Sequence, residues 1–189
     1  MRAPEPVVLA GHGVRLEPWG PEHDADLLAA GQDDELWRWM PTTRPGTLED
    51  LQAMRSAHPG LPWAVVVDGR AGGCTSYLDV DRSVGGLEIG WTWYRRDLWA
   101  TSVNPACKLL LLGHAFDSLA AARVTLKTDA LNTRSRAAIT KLGCAYDGTL
   151  RHNRRRPDGS VRDTSYFSML AQEWTAARQV LRRRALPGR

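Results

Sequence analysis

The sequence predicts an α+β fold in three layers, α/β/α, built on a mixed, mostly antiparallel sheet. Three observations predict it. Strand-like runs at Trp63–Val67, Cys74–Val80 and Leu87–Tyr94 follow one another through short turns, the connection that antiparallel neighbours use. A long apolar helix from about Asn104 then leads to Arg123–Asp129, and a helix of that length between two strands is a crossover that makes them parallel. A last pair of runs, about 145–153 and 162–170, is joined across Pro157-Asp158-Gly159, whose residues suit a turn.

The elements can be justified in order. Val14 and Leu16 alternate with charged residues in a first strand that Pro18 closes. From Glu22 to Met40 the apolar residues Leu27, Leu28, Leu36, Trp37 and Trp39 recur at helical spacing, interrupted near Gly31. Thr47 opens a second helix with Glu49 and Asp50 in its first turn, Leu51 and Met54 facing inward, and Pro59-Gly60 as its stop. Asp68-Gly69 makes a tight hairpin between the second and third strands, and a turn near Ser83–Gly86 leads into the fourth. Asn104 reads as an N-cap with Pro105 at the first helical position, and Leu109, Leu112, Phe116 and Leu119 form one stripe. Asn132 caps the next helix, Ala138, Ile139 and Leu142 line its buried side, and Gly143 supplies the left-handed stop. A final amphipathic helix begins near Gln172, and residues from about 182 to 189 read as a basic, frayed tail.

Composition bounds the function. With 189 residues and 43% hydrophobic content the chain suits one buried core, so we expect a single domain over 1–189. No run approaches the ~18 apolar residues of a membrane span, and Met-Arg-Ala-Pro-Glu-Pro does not resemble a secretion signal, so a cytoplasmic location without a membrane partner is expected. Cys74, Cys107 and Cys144 are scattered and odd in number, which points to buried small apolar residues rather than disulfides. The five histidines show no ligand spacing, so no metal is expected. The net charge of +4 is local: Arg151, Arg154, Arg155, Arg156 and Arg162 cluster in one segment, and Arg178, Arg182, Arg183, Arg184 and Arg189 in another. No aromatic interleaving accompanies them, so a solvated face is favoured over nucleic acid.

The chemistry concentrates between Leu87 and Gly143. Twice there a strand empties into a helix N-terminus, where backbone N–H groups and the helix dipole favour phosphate. Two such units in tandem suggest a phosphorylated cofactor across strand ends. Glu88-Ile-Gly-Trp, Trp99-Ala-Thr-Ser-Val-Asn104, the helix Asn132-x-x-Ser-x-x-Ala-Ile-x-Lys-Leu-Gly143 and Arg155-Arg-Pro-Asp-Gly-Ser-Val-Arg-Asp163 together resemble the GCN-related N-acetyltransferase (GNAT) superfamily and its RimJ/RimL-like branch. In element order the resemblance runs from Val14 to about Trp174.

The resemblance implies a V-shaped splay between the fourth and fifth strands and acetyl-coenzyme A as cofactor. It implies cofactor contacts at Trp91, Trp93, Arg96, Trp99, Ala100, Thr101, Ser102, Val103, Asn132 and Ser135, with the Arg96–Val103 loop on the pyrophosphate. Family members commonly place glycines where this chain has Ala100 and Ser102, and a non-glycine residue forced left-handed costs roughly 1–2 kcal/mol. Glu88 is the implied base; strand alternation turns it away from the face of Leu87, Ile89, Trp91 and Trp93, and a half-exposed strand carboxylate paired with a nearby arginine is the other reading. Many relatives protonate the leaving thiolate with a tyrosine where this chain has Ile139, which leaves Ser135 either for that task or for its own helix turn. Trp37, Trp39 and Arg155 are the implied acceptor contacts. Trp37 and Trp39, two apart, cannot share one helix face.

The function so implied is transfer of acetyl to a primary amine, such as a protein N-terminus, by direct attack in a ternary complex; a homodimer is also compatible. The alternatives are a small-molecule acetyltransferase acting on an antibiotic or aminoacyl-nucleotide, and a non-catalytic acyl-coenzyme A sensor.

Overall fold

The computed structural model describes residues 1–186. An eight-stranded sheet has the order β1-β2-β3-β4-β5-β6-β8-β7. Its strands are β1 (Leu9–Gly11), β2 (Val14–Pro18), β3 (Leu61–Val67), β4 (Arg70–Asp81), β5 (Gly86–Tyr94), β6 (Arg123–Asp129), β7 (Ala145–Arg155) and β8 (Val161–Leu170). Every neighbour is antiparallel except β5 and β6, as the crossover requires. The three-residue edge strand β1 is too short for a periodic signal, so the splay expected between strands four and five falls between five and six.

Five helices, α1 (Asp24–Ala30), α2 (Leu48–Ser56), α3 (Val103–Gly113), α4 (Thr133–Thr140) and α5 (Trp174–Arg184), complete the layers. Alternation along β3 sends Trp63 and Val65 into one core with α3 and α5, and Ala64 and Val66 into a second with α1 and α2. The Thr47 capping box is present, its hydroxyl accepting from the Asp50 N–H at 3.1 Å. Gly143 ends the turn after α4 at φ +93°.

Three boundaries differ from expectation. The stretch from Glu22 to Met40 is not one interrupted helix: α1 stops at Ala30, and only a short turn at Asp34–Leu36 follows, fixed by Asp33 accepting from Glu35 N–H at 3.0 Å. Helix α3 is capped by Ser102, already in helical conformation, because its carbonyl accepts the Ala106 N–H at 2.9 Å. Asn104 therefore sits inside the first turn, where it accepts from the Tyr94 hydroxyl at 3.1 Å. Arg182, Arg183 and Arg184 belong to α5 rather than to a frayed tail, and the rest of that expectation, 187–189, lies outside the described residues.

The sheet prepares the site in two ways. β5 and β6 pair only from Gly86↔Arg123 to Glu88↔Thr125 and then separate, which is the splay. Opposite Thr75, β5 carries two residues, Trp91 and Thr92, because Gly90 pairs with Ser76 and Trp93 with Cys74. This β-bulge holds Trp91 at φ +48° and leaves one β5 residue out of the ladder.

Candidate active site

The mouth of the splay opens into a cavity of about 420 Å³. Glu88, the last β5 residue paired with β6, is only 4% exposed and lines it. Its carboxylate lies 2.5 Å from the ammonium of Lys127 on β6, which also reaches Asp79 at 3.0 Å. Asp79 sits at a second irregularity, in β4, at φ +46°, a conformation that aspartate tolerates better than most residues. Burial pushes the Glu88 carboxyl up to about 7; Lys127 opposes the rise and Asp79 adds to it. The alternative of a half-exposed carboxylate beside an arginine does not describe Glu88, whose partner is a lysine in a desolvated setting.

The bulge corrects one expectation. Leu87 and Ile89 pack in the α3 core, but the extra residue shifts the alternation, so Trp93 packs in the other core, 5.1 Å from Trp37. Trp91 and Trp93 both line the cavity, and the indole N–H of each is buried without a partner among the described residues. Such orphaned donors are costly unless a ligand meets them. Trp91 is backed by the His58 ring at 4.6 Å.

Behind the bulge lies Lys108 of α3, which the sequence reading overlooked because it interrupts an apolar helix. It is 4% exposed and donates to Thr75 Oγ1 at 3.1 Å and Thr92 Oγ1 at 2.8 Å, tying α3 to both sides of the bulge. Burial pulls its pKa down to about 8.

The loop after β5 and the start of α4 also contribute to the cavity. Trp99 and Ala100 line the cavity, and Trp99 donates to the Tyr94 carbonyl at 2.8 Å. Two guanidinium groups flank its ring, Arg96 at 4.9 Å and Arg134 at 3.5 Å. Arg134 was not anticipated; its place in the first turn of α4 was the available signal. Ala100 adopts φ +60°, the conformation that glycine would take without strain, whereas Ser102 at φ −70° needs no glycine. Ser102 makes no capping bond with its side chain, and Thr101 Oγ1 accepts the Val103 N–H at 3.3 Å. Arg96, Thr101, Ser102 and Val103 lie outside the cavity lining, along the loop that leads from it into α3.

Asn132 and Ser135 both line the cavity. Asn132 is the N-cap, its Oδ1 accepting from Ser135 N–H at 3.0 Å, while its amide nitrogen makes no hydrogen bond among the described residues. Of the acceptor candidates, Trp39 lines the cavity. Trp37 does not: it is core, with its indole donating to the Gly31 carbonyl at 2.7 Å. Arg155 is also misplaced, since it donates to Gly159 O within the hairpin turn at 3.1 Å. Arg154 and Arg162 line the cavity instead, the pair that strand register puts opposite one another. The three cysteines are buried, and burial raises their thiols to about 12, 11 and 12 for Cys74, Cys107 and Cys144.

A splayed parallel pair, a bulge at its mouth and a buried carboxylate beside them are the arrangement that the resemblance to the GNAT superfamily implies. Residues 14–145 match the family described as "Acetyltransferase (GNAT) domain", and the chain belongs to it. It is 26% identical over 168 residues to "Putative ribosomal N-acetyltransferase YdaF" of Bacillus subtilis, covering 84% of this chain and 90% of that protein. Its fold matches a GCN5-related N-acetyltransferase from Brucella melitensis with a TM-score of 0.91 at 26% identity, over 97% of this chain and 87% of that one. It also matches the fold of Mycobacterium smegmatis RimJ in complex with CoA-disulfide, with a TM-score of 0.77 at 22% identity over 94% of both chains. The protein is thus an acetyltransferase.

Proposed function

We propose that this chain, acting as one domain over 1–189, transfers acetyl from acetyl-coenzyme A to a primary amine, with Glu88 as the base and no covalent enzyme intermediate. The observation that carries the reading is the Glu88 carboxyl, buried at the head of the splay with its pKa near 7. A base poised near the working pH accepts a proton from an ammonium group and can release it again.

The residues present fit the cofactor. Trp91 and Trp93 offer indole N–H groups with no partner among the described residues, Asn132 offers its amide nitrogen, and Arg134 offers a cation against Trp99, whose other flank is Arg96, held by Asp33 at 2.6 Å. In the first turn of α3 Thr101 Oγ1 takes the Val103 N–H and Pro105 has none, so the backbone donor on offer there is the Asn104 N–H. When bound, acetyl-coenzyme A supplies an activated thioester. The bulge frees one residue of β5 from the ladder beside Trp91, the place for an N–H that stabilises negative charge on an acyl oxygen. Ser135 lines the cavity and its hydroxyl makes no hydrogen bond among the described residues, which supports it as the donor to a departing sulfur. Direct attack is favoured because the cysteines, raised to about 11 or 12, hold their protons at neutral pH.

For the acceptor we favour a protein N-terminal amine, as in the RimJ/RimL-like branch. The word "ribosomal" in the name of the Bacillus subtilis relative supports this. No helix among the described residues is long and apolar enough to cross a membrane, in keeping with the cytoplasmic location that belongs to this proposal. The test is release of free thiol from acetyl-coenzyme A in the presence of peptides with free or blocked N-termini. Release that needs the free amine is expected, and a chain that binds acetyl-coenzyme A yet turns over no amine would overturn the reading.

A further inference from the structure

Where β7 pairs with β8, Arg154 stands directly opposite Arg162, and both line the cavity that holds Glu88. Like charges opposite each other on an antiparallel ladder are destabilising. The surrounding carboxylates have closer partners and act on the two arginines only at longer range. Asp129 is paired with Arg156 at 2.8 Å, Asp163 accepts the His152 N–H at 2.8 Å, and Asp79 and Glu88 share Lys127. Arg162 donates from Nε to Thr164 Oγ1 at 3.3 Å, and among the described residues neither arginine has a carboxylate at ion-pair distance. Arg162 is half-buried, and desolvation outweighs the longer-range pull of Asp129 on its charge.

These cations are separate from the pair that flanks Trp99. Arg154 lies near enough to Asp79 and Lys127 to influence both charges, which places it at the Glu88 end of the cavity. Arg96 and Arg134 gather instead at the loop and the start of α4. One end of the cavity therefore carries Arg134, which suits a cofactor phosphate, while Arg96 outside the lining is held by Asp33; the other end carries two cations that this reading of the cofactor does not use.

We propose that Arg154 and Arg162 form an acceptor subsite for an anionic oxygen group, a carboxylate or a phosphate, carried close to the amine that is acetylated. Guanidinium groups bind such groups through two parallel N–H bonds, and an anion between the arginines would remove their mutual repulsion. The inference rests on the N-acetyltransferase reading and narrows its acceptor: an amine with a nearby negative charge is selected over its neutral twin.

The test uses the full chain with acetyl-coenzyme A and two matched pairs, phosphoethanolamine against ethanolamine, and glycyl-aspartate amide against glycyl-asparagine amide. At least one anionic member should exceed its twin at least tenfold in kcat/KM, and which pair responds tells phosphate from carboxylate. That ratio should fall towards one in R154Q and R162Q and be partly kept in R154K and R162K, which retain charge and fold, with KM for acetyl-coenzyme A unaltered. Equal use of charged and neutral twins would overturn the subsite while leaving the acetyltransferase reading intact. So would an equal loss on both twins in R154Q and R162Q. A chain that acetylates none of the four amines or any N-terminal peptide would overturn both.

Discussion

The Glu88 carboxylate and the Lys127 ammonium stand 2.5 Å apart at the point where β5 and β6 separate. One strand supplies the carboxylate proposed as the base, and its parallel neighbour supplies the cation that opposes its rise. Burial raises Glu88 to about 7 and Lys127 holds it from rising further. Since the base works ionised, kcat/KM should climb with pH and level off above an apparent pKa near 7. Lys127→Met removes the opposing cation, so the midpoint of the profile should move to higher pH, with about fivefold lost at neutral pH for the first unit moved and about tenfold for each further unit. Activity that recovers at high pH separates this tuning from a structural defect.

Ala100 and Ser102 occupy positions where the resemblance expects glycine, yet only Ala100 has positive φ, at +60°. Ala100→Gly should raise stability by about 1 kcal/mol in thermal or urea unfolding, the relieved strain less the backbone entropy of glycine, and should tighten acetyl-coenzyme A binding measured by calorimetry. Ser102→Gly relieves nothing and should cost a few tenths of a kcal/mol with no gain in affinity.

Lys108 is a buried cation whose partners are two threonine hydroxyls. Its pKa, about 8 in the fold against 10.5 for an ordinary lysine, makes the unfolded chain the better proton binder between those values. The cost to stability is therefore complete below pH 8 and fades as pH rises towards 10.5. Lys108→Met should unfold at higher temperature than the parent at pH 7, and the gap should narrow by pH 10.

Trp37 and Trp39 differ in what they touch. Trp37→Ala empties a core site against Trp93 and should cost about 3–5 kcal/mol in urea unfolding. Trp39→Ala should change stability by much less and raise the acceptor KM, because Trp39 lines the cavity.

The fold was legible because hydrophobic periodicity and connection length survive locally. Short turns gave the antiparallel strands, the α3 crossover gave the parallel pair, and Gly143 gave the end of α4. What could not be read was created by register. The bulge at Trp91 follows from how β5 meets β4, and it redirects Trp93 against simple alternation. Asn104 has the composition of an N-cap, but helical conformation at Ser102 starts α3 two residues earlier. Of the arginines between 151 and 162, only pairing across the hairpin selects 154 and 162, two residues on different strands that no linear spacing joins. Lys108 was hidden because a lone lysine within an apolar helix ordinarily reaches solvent along its stem, and here threonines from β4 and β5 receive it instead.

The most direct test of the account is turnover of acetyl-coenzyme A with an amine acceptor by Glu88→Gln, read beside calorimetric binding of acetyl-coenzyme A to the same protein. The account predicts a fall in kcat of about 10²- to 10⁴-fold with cofactor affinity retained. Parental turnover in that variant, with the same pH profile, would contradict the assignment of Glu88 as the base and with it the mechanism proposed for this chain.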